Sequence, residues 1–476
     1  MASLAVAKFG GTSVATSHAF RTVADKIQRN DSARVIVISA PGKVKDQNDP
    51  SGKLERGPKI TDRLIAMRDH GGLIESEVKA IENQFREIEE GIGMKALVSP
   101  RIRAEIEANL SNDPALDSIG EMWGAPAFAE YLEAKRGMKT KYLGPEEAGI
   151  IGIEQDGRWT VPEENYTEIR RRIIPFVEQG YRVVVPGFRC YDKDGGIHVF
   201  ERGGSDYTGS TLAAALQAGL YQNFTDVDGI FCAEKEVSKT APLIREMTHD
   251  ELTELTLGGK FGVFQYAATI PVTEHRVVTQ VLNTFNGNSE GTYILSQRGR
   301  EGDGVTGLVH RGDYLGFTIN MSGIANRVGF MHNLTGLFAE MVSRIEERKT
   351  GKTPEQARGI SIEATSDVTN RVTLIVKQKD IRDAGISVGE ILETIRNTFN
   401  PREIRTIELE AVAVVGEGLC YATNAISRIF NAVDKLSIPR PYFSGGEIAA
   451  KIFFLPGQGL QAAQAIYKEF FSPASE

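Results

Sequence analysis

Residues 8 to 13, Lys8-Phe9-Gly10-Gly11-Thr12-Ser13, follow a short apolar run and lead into a segment with helical periodicity. The run, Leu4-Ala5-Val6-Ala7, predicts a buried strand. The two glycines let the backbone turn sharply and approach an anion closely, so that N–H groups donate to it while Lys8 adds a positive charge. The stretch therefore predicts a phosphate-binding turn. An ordinary strand-to-helix turn with a surface lysine is the alternative interpretation.

The composition indicates a multidomain globular protein. A chain of 476 residues holds about two to four domains. The formal net charge of −8 argues against nucleic acid as the main partner. Cys190, Cys232 and Cys420 lack zinc-ligand spacing, and they predict free thiols in a reducing compartment. No stretch approaches the roughly 18 apolar residues of a membrane helix. We expect no nucleic-acid partner, no membrane partner and a cytoplasmic location.

The order of apolar segments predicts two regions with different architecture. Strand-like runs alternate with helix-period segments through the first part of the chain, which favours an α/β domain with a largely parallel central sheet. A stretch rich in glycine and charge, residues 296–312, predicts the main domain boundary. Two similar β-α-β-β units, each followed by a helix, come after it. This repetition is typical of a duplicated ligand-binding or dimerisation module.

A second glycine-rich cluster, Arg202-Gly203-Gly204-Ser205-Asp206-Tyr207-Thr208, precedes a helical run. Two glycines before a helix start provide another turn that accepts an anion, and Arg202 offers a planar fork that suits a carboxylate. A simple helix cap by Ser205 or Asp206 is the alternative. A paired glycine-rich turn in the same domain favours the anion-binding interpretation.

Acidic residues mark two further places. Asp226 and Asp228, in Thr225-Asp226-Val227-Asp228-Gly229, follow a strand-like run, and there they would face a ribose or metal-bound phosphates. An ordinary Asp-Gly turn is the alternative. Glu121 follows Ser118-Ile119-Gly120 at a predicted helix start, where a glutamate usually serves as a cap.

The common phosphate-handling motifs are missing from the sequence. It contains no GxxxxGK[ST], no H-R-D and D-F-G set and no GxGxxG. Neither P-loop nor protein-kinase chemistry is therefore available, and a phosphate must be handled in another way.

With these four clusters in this order, the chain resembles the aspartate kinases of the amino acid kinase superfamily. The signatures are KFGGTS, Gly-Glu before a helix, RGGSDYT and TDVDG, followed by two C-terminal units similar to ACT domains. The resemblance covers essentially the whole chain. It implies an amino acid kinase domain at 1–298 with a largely parallel central sheet, and two ferredoxin-like α+β ACT domains at 313–400 and 404–476.

The resemblance implies transfer of the ATP γ-phosphate to the β-carboxylate of L-aspartate, giving 4-phospho-L-aspartate, the first step of the lysine, threonine and methionine pathway. The β-carboxylate is already ionised at neutral pH and needs no general base. The barrier is mostly repulsion between anions, so that positioning and charge neutralisation by lysine, Mg²⁺ and backbone N–H groups carry catalysis.

By resemblance, Lys8 and Asp206 are the catalytic residues, and Lys8 stabilises the transferring phosphoryl group. Arg202 grips the α-carboxylate of aspartate, while Glu121 and Asp206 attract its ammonium. The resemblance assigns no residue to metal coordination. It assigns further substrate contacts to Ser39, Thr61, Phe188 and Ser205, and nucleotide contacts to Lys8, Gly10, Gly11, Ser13, Thr225, Asp226, Asp228 and Phe231.

One segment departs from the family pattern. The family commonly has Gly-Ala-Lys-Val-Leu-His-Pro, whose lysine reaches the nucleotide, whereas this chain reads Gly258-Gly259-Lys260-Phe261-Gly262. Lys260 is the candidate for that lysine. Counted back from Ile270-Pro271, it lies about two residues early, so that a shifted backbone and a lost contact both stay open.

The ACT-like units imply feedback control by an amino acid, lysine first and threonine second, in a homodimer that forms through these units. Modules that only dimerise are the alternative. The effector contacts implied are Met321, Gly329, Phe330 and Asp367. Two rival functions stay open: a kinase for another acid such as glutamate or acetylglutamate, and a catalytically impaired homologue that acts as an amino-acid sensor.

Overall fold

The structure is a computed structural model. It describes residues 4–45, 55–155, 157–201, 203–256, 264–299, 304–321, 330–350, 362–368, 370–419, 421–422, 424–440 and 442–472. Contacts group the chain into two units. The first unit comprises Met1–Glu154, Arg158–Ile230 and Leu243–Arg298, and the second comprises Gln155–Gly157, Phe231–Pro242 and Gly299–Glu476.

The first part of the chain alternates strands and helices. The strands are β1 (Ala5–Phe9), β2 (Ala33–Ile38), β3 (Val44–Lys45), β4 (Glu55–Arg56), β5 (Thr140–Tyr142), β6 (Ile153–Gln155), β7 (Arg158–Thr160), β8 (Arg182–Pro186), β9 (Arg189–Tyr191), β10 (Ile197–Val199), β11 (Leu220–Thr225), β12 (Glu246–Thr248), β13 (Thr279–Asn283) and β14 (Thr292–Leu295). The helices are α1 (Ser17–Arg29), α2 (Ile60–His70), α3 (Glu75–Gly91), α4 (Ile102–Asn109), α5 (Asp113–Asp117), α6 (Ile119–Arg136), α7 (Tyr166–Glu178), α8 (Gly204–Ala215), α9 (His249–Thr256) and α10 (Tyr266–Glu274).

Eight of these strands form one sheet in the order β12-β14-β13-β11-β1-β2-β8-β5. Neighbouring strands run parallel except β13 and β14. All five residues of β1 are buried, as expected for a central strand that is covered on both faces. The prediction of an α/β domain with a largely parallel central sheet is confirmed.

Local signals in the sequence explain how helices cover this sheet. Thr16 caps α1 by accepting a hydrogen bond from the Ala19 N–H at 3.1 Å. The apolar stripe of α1 includes Phe20, which meets Phe128 of α6 edge to face at a centroid distance of 5.3 Å. Because β1 runs parallel to both β2 and β11, the carboxyl ends of the three strands lie at one edge of the sheet.

The second unit contains an antiparallel sheet with helices. Its strands are β15 (Gly307–Asn320), β16 (Ile362–Val368), β17 (Arg371–Lys377), β18 (Glu403–Val415), β19 (Tyr442–Gly445) and β20 (Ala449–Phe454), in the sheet order β16-β17-β15-β18-β20-β19. Its helices are α11 (Phe330–Thr350), α12 (Gln378–Asp383), α13 (Val388–Phe399), α14 (Ala425–Asp434) and α15 (Gly459–Phe471). Two α+β repeats follow each other in the chain, as predicted.

Strand β15 serves both repeats. Its residues Tyr314–Asn320 pair with β17 and with the first part of β18, whereas Gly307–Arg311 pair with Ala411–Val415 at the far end of β18. A register shift between Arg311 and Tyr314 separates the two parts. The strand thus begins before residue 313, the predicted start of the first repeat, and its leading part extends the sheet of the second repeat. Alternation of apolar residues does not reveal which strand a given segment joins.

The thiols are as predicted where the structure describes them. Cys190 and Cys232 are buried and free, and Cys420 lies outside the described residues. Among the described residues, no helix is long and apolar enough to cross a membrane.

Candidate active site

The two glycine-rich clusters of the sequence meet through a pair of charges. The ammonium of Lys8, at the carboxyl half of β1, pairs with the carboxylate of Asp206 in the first turn of α8. Only 7% of Lys8 is exposed. Gly209 of the same helix permits this approach, because a Cβ there would lie 3.0 Å from the Lys8 Cβ. The structure therefore brings together the two residues that the sequence proposed as catalytic.

Asn223 completes this cluster, and sequence reasoning missed it. It lies opposite Lys8 in the parallel register of β1 and β11. Its Oδ1 accepts a hydrogen bond from Lys8 Nζ at 3.4 Å, and its Nδ2 donates to Asp206 Oδ1 at 3.0 Å. A side-chain amide that is 1% exposed in a central strand must have hydrogen-bond partners. The sequence shows an amide in an apolar run, but only the order of the strands shows which residues it contacts.

The turn after β1 is held closely by neighbouring backbone. Gly11–Val14 forms a 3₁₀ turn, and the Gly42 N–H donates to the Gly11 carbonyl at 2.8 Å. A Cβ on Gly11 would lie 2.9 Å from the Ala40 carbonyl oxygen, so glycine is required there. The Gly10 N–H donates to the Phe224 carbonyl at 3.1 Å, and the Ser13 N–H donates to the Gly10 carbonyl at 2.9 Å. The Gly10 N–H, which the sequence suggested as a phosphate donor, is therefore bonded to β11, and the Ser13 N–H closes the turn itself.

The side chain of Ser13 ties the turn to the loop after β13. Ser13 Oγ and Thr284 Oγ1 are 2.6 Å apart, and both residues are fully buried. The Thr284 N–H donates to the carbonyl of Thr225 at 2.8 Å, which links the same loop to the end of β11. Thr284 is a second residue that the sequence-based site lacked.

Glu121 lies at the start of α6 with 3% of its surface exposed. Burial raises the pKa of its carboxyl to about 7, although hydrogen bonds from the backbone of Ala40 and of Glu121 itself and the charge of Arg189 act in the opposite direction. Among the described residues, its Oε2 has no hydrogen-bond partner. A buried carboxylate oxygen without a partner is suited to receive a donor from a ligand.

Arg189 fixes the start of this helix. Its Nε donates to Ser118 Oγ at 2.7 Å, and its Nη2 donates to the Ala115 carbonyl at 2.7 Å. Arg189 as a whole is 6% exposed. It thus holds the segment before α6 in place and adds positive charge near Glu121.

The predicted substrate residues Ser39, Phe188 and Ser205 gather at the start of α8. Ser205 Oγ donates to Ser39 Oγ at 3.2 Å, which joins α8 to the end of β2. Phe188 has φ of +71°, a conformation that is uncommon for a residue with a side chain, and its N–H donates to Thr208 Oγ1 at 3.1 Å. Strain of this kind is often found at functional sites.

Thr61 is described by the structure, whereas the predicted residues Arg202 and Lys260 are not. Thr61 lies in the first turn of α2, next to Ile60. Ile60 packs against the start of α6, because a Cβ on Gly120 would lie 3.2 Å from the Ile60 side chain. Arg202 and Lys260 lie outside the described residues. Their predicted contacts with the α-carboxylate and with the nucleotide therefore stay predictions.

Asp226 and Asp228, which the sequence predicted to contact the nucleotide, directly follow β11. Thr225 Oγ1 donates to Asp226 Oδ1 at 3.4 Å. Asp228 Oδ1 accepts hydrogen bonds from Asn283 Nδ2 at 2.7 Å and from Asn286 Nδ2 at 3.0 Å. Asp228 therefore holds the loop after β13 with one of its oxygens. Phe231, also predicted to contact the nucleotide, groups with the second unit.

The effector candidates belong to the second unit. Met321 and Phe330 are both buried in the apolar core of the first repeat, together with Phe317 and Phe338. Asp367 is a residue of β16, and Gly329 lies outside the described residues. Their assignment to an effector stays a prediction.

The model of the amino acid kinase family matches residues 3–283. The chain belongs to the amino acid kinase family. Within that family it is similar to aspartokinase 3 of Bacillus subtilis, with 26% identity over 480 residues that cover 98% of each chain. It is similar also to the aspartate kinase of Pseudomonas fluorescens, with 26% identity over 94% of this chain and 93% of that one.

Solved structures of family members have the same fold. The aspartate kinase of Clostridium acetobutylicum gives a TM-score of 0.77 at 24% identity, over 98% of this chain and 100% of that one. Aspartokinase III of E. coli in complex with aspartate and ADP gives 0.74 at 21% identity, over 98% and 100%. The resemblance to aspartate kinases that the sequence predicted is confirmed along the whole chain.

Proposed function

We propose that this amino acid kinase transfers the γ-phosphoryl group of ATP to the β-carboxylate of L-aspartate, giving 4-phospho-L-aspartate. This reaction begins the lysine, threonine and methionine pathway. The observation that carries the proposal is the pairing of Lys8 with Asp206, through which the turn after β1 meets the start of α8. Matches to aspartokinases over the full length of the chain support the choice of substrate.

The chemistry needs two anions to approach. An oxygen of the β-carboxylate attacks the γ-phosphorus, a new O–P bond forms, and the bond between the γ-phosphorus and the bridging oxygen of ADP breaks. No proton is transferred to the acceptor. Lys8 is well suited to offset the charge on the transferring group, because its ammonium is buried at the sheet edge and electrostatic interactions are strong there.

Glu121 fits the amino group of the substrate. Its Oε2 is buried and has no partner among the described residues, so an incoming ammonium would satisfy it. Ser39 and Ser205, joined by a hydrogen bond, lie at the junction of β2 and α8 and supply neutral donors. Arg202 is the proposed partner of the α-carboxylate, because a guanidinium binds a carboxylate through two parallel hydrogen bonds.

Mg²⁺ is proposed to arrive with the nucleotide. Among the described residues, no group of three or more His, Cys, Asp or Glu side chains forms a ready metal cage. Asp226 and Asp228 at the end of β11 provide one or two carboxylates, the usual protein contribution when phosphates supply the other ligands. The ion would neutralise charge on the β- and γ-phosphates.

The second unit is proposed to regulate the enzyme. Its two α+β repeats fit a module that binds an amino acid, with lysine as the first candidate and threonine as the second, in a homodimer that forms through the repeats. E. coli aspartokinase III, which has the same fold at a TM-score of 0.65, has been solved with lysine and aspartate.

We propose that the enzyme is located in the cytoplasm.

The test is the formation of aspartyl hydroxamate from MgATP, L-aspartate and hydroxylamine, because hydroxylamine traps an acyl phosphate. We expect hydroxamate with aspartate and much less with L-glutamate or N-acetyl-L-glutamate. A folded sample that gives none with aspartate would refute the proposal. Repeating the assay with lysine and with threonine tests regulation, and a rate unchanged by both would favour modules that only dimerise.

A further inference from the structure

A buried amide closes a triangle with the two charged residues of the site. Asn223 is 1% exposed and lies opposite Lys8. It accepts from Lys8 Nζ at 3.4 Å, a long contact, and donates to Asp206 Oδ1 at 3.0 Å. Asp206 Oδ1 is also the atom that pairs with Lys8. One carboxylate oxygen therefore receives both the ammonium and the amide.

The surroundings fix the orientation of this amide. Its oxygen must face the ammonium and its NH₂ group must face the carboxylate, because the reverse would oppose donor to donor and acceptor to acceptor. Two residues earlier in β11, Tyr221 donates its hydroxyl to the backbone carbonyl of Asp206 at 3.2 Å. Strand β11 thus holds both the main chain and the side chain of Asp206.

We infer that Asn223 is a positioning residue for phosphoryl transfer, an inference that rests on the proposed function. The amide donates a hydrogen bond to Asp206 Oδ1 and so orients the carboxylate. Because this oxygen accepts from the amide as well, it binds the Lys8 ammonium less strongly. Lys8 then directs its charge to the transferring phosphoryl group while Asp206 stays in place. A neutral residue is needed, because a second carboxylate would retain the ammonium and repel the nucleotide.

Two substitutions separate charge from shape. Asn223→Asp keeps the shape and adds a charge, whereas Asn223→Leu keeps a similar volume and removes both hydrogen bonds. Gln222→Glu is the matched control. Gln222 is the preceding residue of β11, is 8% exposed, and bonds to Asn30 and Gln280 outside the site.

We expect kcat of Asn223→Asp to fall about 100-fold at pH 8.5, and we expect the deficit to shrink as the pH is lowered. A protonated aspartic acid has an O–H donor where the amide had its N–H, so it restores the donation to Asp206. The titratable groups that bond to this side chain among the described residues are Lys8 and Asp206, and the hydroxyl of Tyr221 bonds to the Asp206 carbonyl beside them.

Asn223→Leu should lose kcat by a similar factor at every pH, because it has no proton to gain. Gln222→Glu should stay within about threefold of the unaltered chain and show no recovery at low pH. An Asn223→Asp variant that follows the same pH profile as Gln222→Glu would overturn the inference. So would an Asn223→Leu variant with unaltered kcat.

A crystal structure of Asn223→Leu provides a readout that does not depend on activity. We expect the Asp206 carboxylate to turn away from the orientation it has beside Asn223. An unchanged carboxylate would overturn the positioning role. Absence of hydroxamate from the unaltered chain would instead refute the proposed function, and the crystal structure would still decide whether Asn223 orients Asp206.

Discussion

Gly120 packs directly against Ala40, which brings the start of α6 against the segment after β2. Gly120 makes this approach close, because a Cβ there would lie 2.9 Å from the Ala40 Cβ. Glu121 itself is buried, with 3% of its surface exposed. Burial raises the pKa of its carboxyl to about 7, close to neutral pH.

The first prediction concerns the stability of Glu121→Gln. The pKa of Glu121 is about 7 in the folded chain against an ordinary value of 4.5, so the folded state binds the proton more tightly. The free energy of unfolding therefore falls as the pH rises from 4.5 to 7. Glu121→Gln removes that loss and should gain up to about 3 kcal/mol relative to the unaltered chain between pH 5 and pH 8.

Chemical denaturation at a series of pH values measures this difference. Glu133→Gln, which removes an exposed carboxylate from the same helix, gives the baseline. An unfolding free energy of Glu121→Gln that parallels that of Glu133→Gln over the whole pH range would contradict a raised pKa at Glu121.

The second prediction concerns the binding of aspartate. A protonated Glu121 cannot attract an ammonium, so the KM for aspartate should rise below pH 7, approaching about tenfold per pH unit. Glu121→Gln should have a high KM without that pH dependence. The hydroxamate assay at several aspartate concentrations, from pH 6 to pH 8.5, gives both curves. The same rise in KM in the two proteins would show that another group is responsible.

The third prediction concerns Lys8→Ala. Removal of the ammonium should lower kcat at least about 100-fold, because the transferring group loses its buried positive charge. Asp206 keeps its hydrogen bond from Asn223, so the chain should still fold. Circular dichroism and thermal unfolding establish this. Lys139→Ala removes an exposed lysine that donates to the Gln179 carbonyl, and it should keep its activity. Activity of Lys8→Ala near that of Lys139→Ala would refute the role of Lys8.

Much of the grouping of these side chains was predictable, because they lie in short motifs at strand ends and at one helix start. Lys8, Ser39 and Asp206 come together since β1, β2 and α8 meet at one edge of a parallel sheet. The motifs do not show which other residues their side chains and backbone contact. Gly11 reads as a phosphate contact, yet the nearest atom to a Cβ there is the Ala40 carbonyl oxygen, a neighbour that strand order supplies.

The residues that were missed are those whose partners lie far along the chain. Asn223 and Thr284 are polar positions in or beside apolar strands. Asn223 bonds to Lys8 in β1, and Thr284 bonds to Ser13 in the turn after it. The early start of β15 has the same origin, since Gly307–Arg311 finds its partner about a hundred residues later. Periodicity identifies a strand, but it does not identify the neighbour of that strand.

The fourth prediction tests the bond between Ser13 and Thr284. Thr284→Val keeps the shape and removes the hydroxyl, which leaves a fully buried Ser13 Oγ without this partner at a cost of about 1–3 kcal/mol. The turn after β1 should then shift, and the KM for ATP should rise about fivefold. Thr284→Ser keeps the hydroxyl and should preserve both stability and KM. If both variants behave alike, the hydrogen bond does not set the position of the turn.

The fifth prediction concerns Gly11, in the turn after β1. In Gly11→Ala the new Cβ would lie 2.9 Å from the Ala40 carbonyl oxygen and 3.1 Å from the Gly42 Cα, and neither backbone atom can move alone. The strain should lower the free energy of unfolding by about 1–3 kcal/mol. Displacement of the turn that carries Ser13 should lower kcat/KM for ATP about 100-fold.

Gly72→Ala is the matched control for that change, because the nearest atom to its Cβ would be His70 Nδ1 at 3.9 Å. It should be neutral or slightly stabilising, by about 0.4–1 kcal/mol. Unfolding curves and kinetics of the two variants separate the loss of a glycine from the loss of this particular contact. If Gly11→Ala stays as stable and as active as Gly72→Ala, the segment after β2 yields easily. The close backbone contact then does not position the turn beside Lys8.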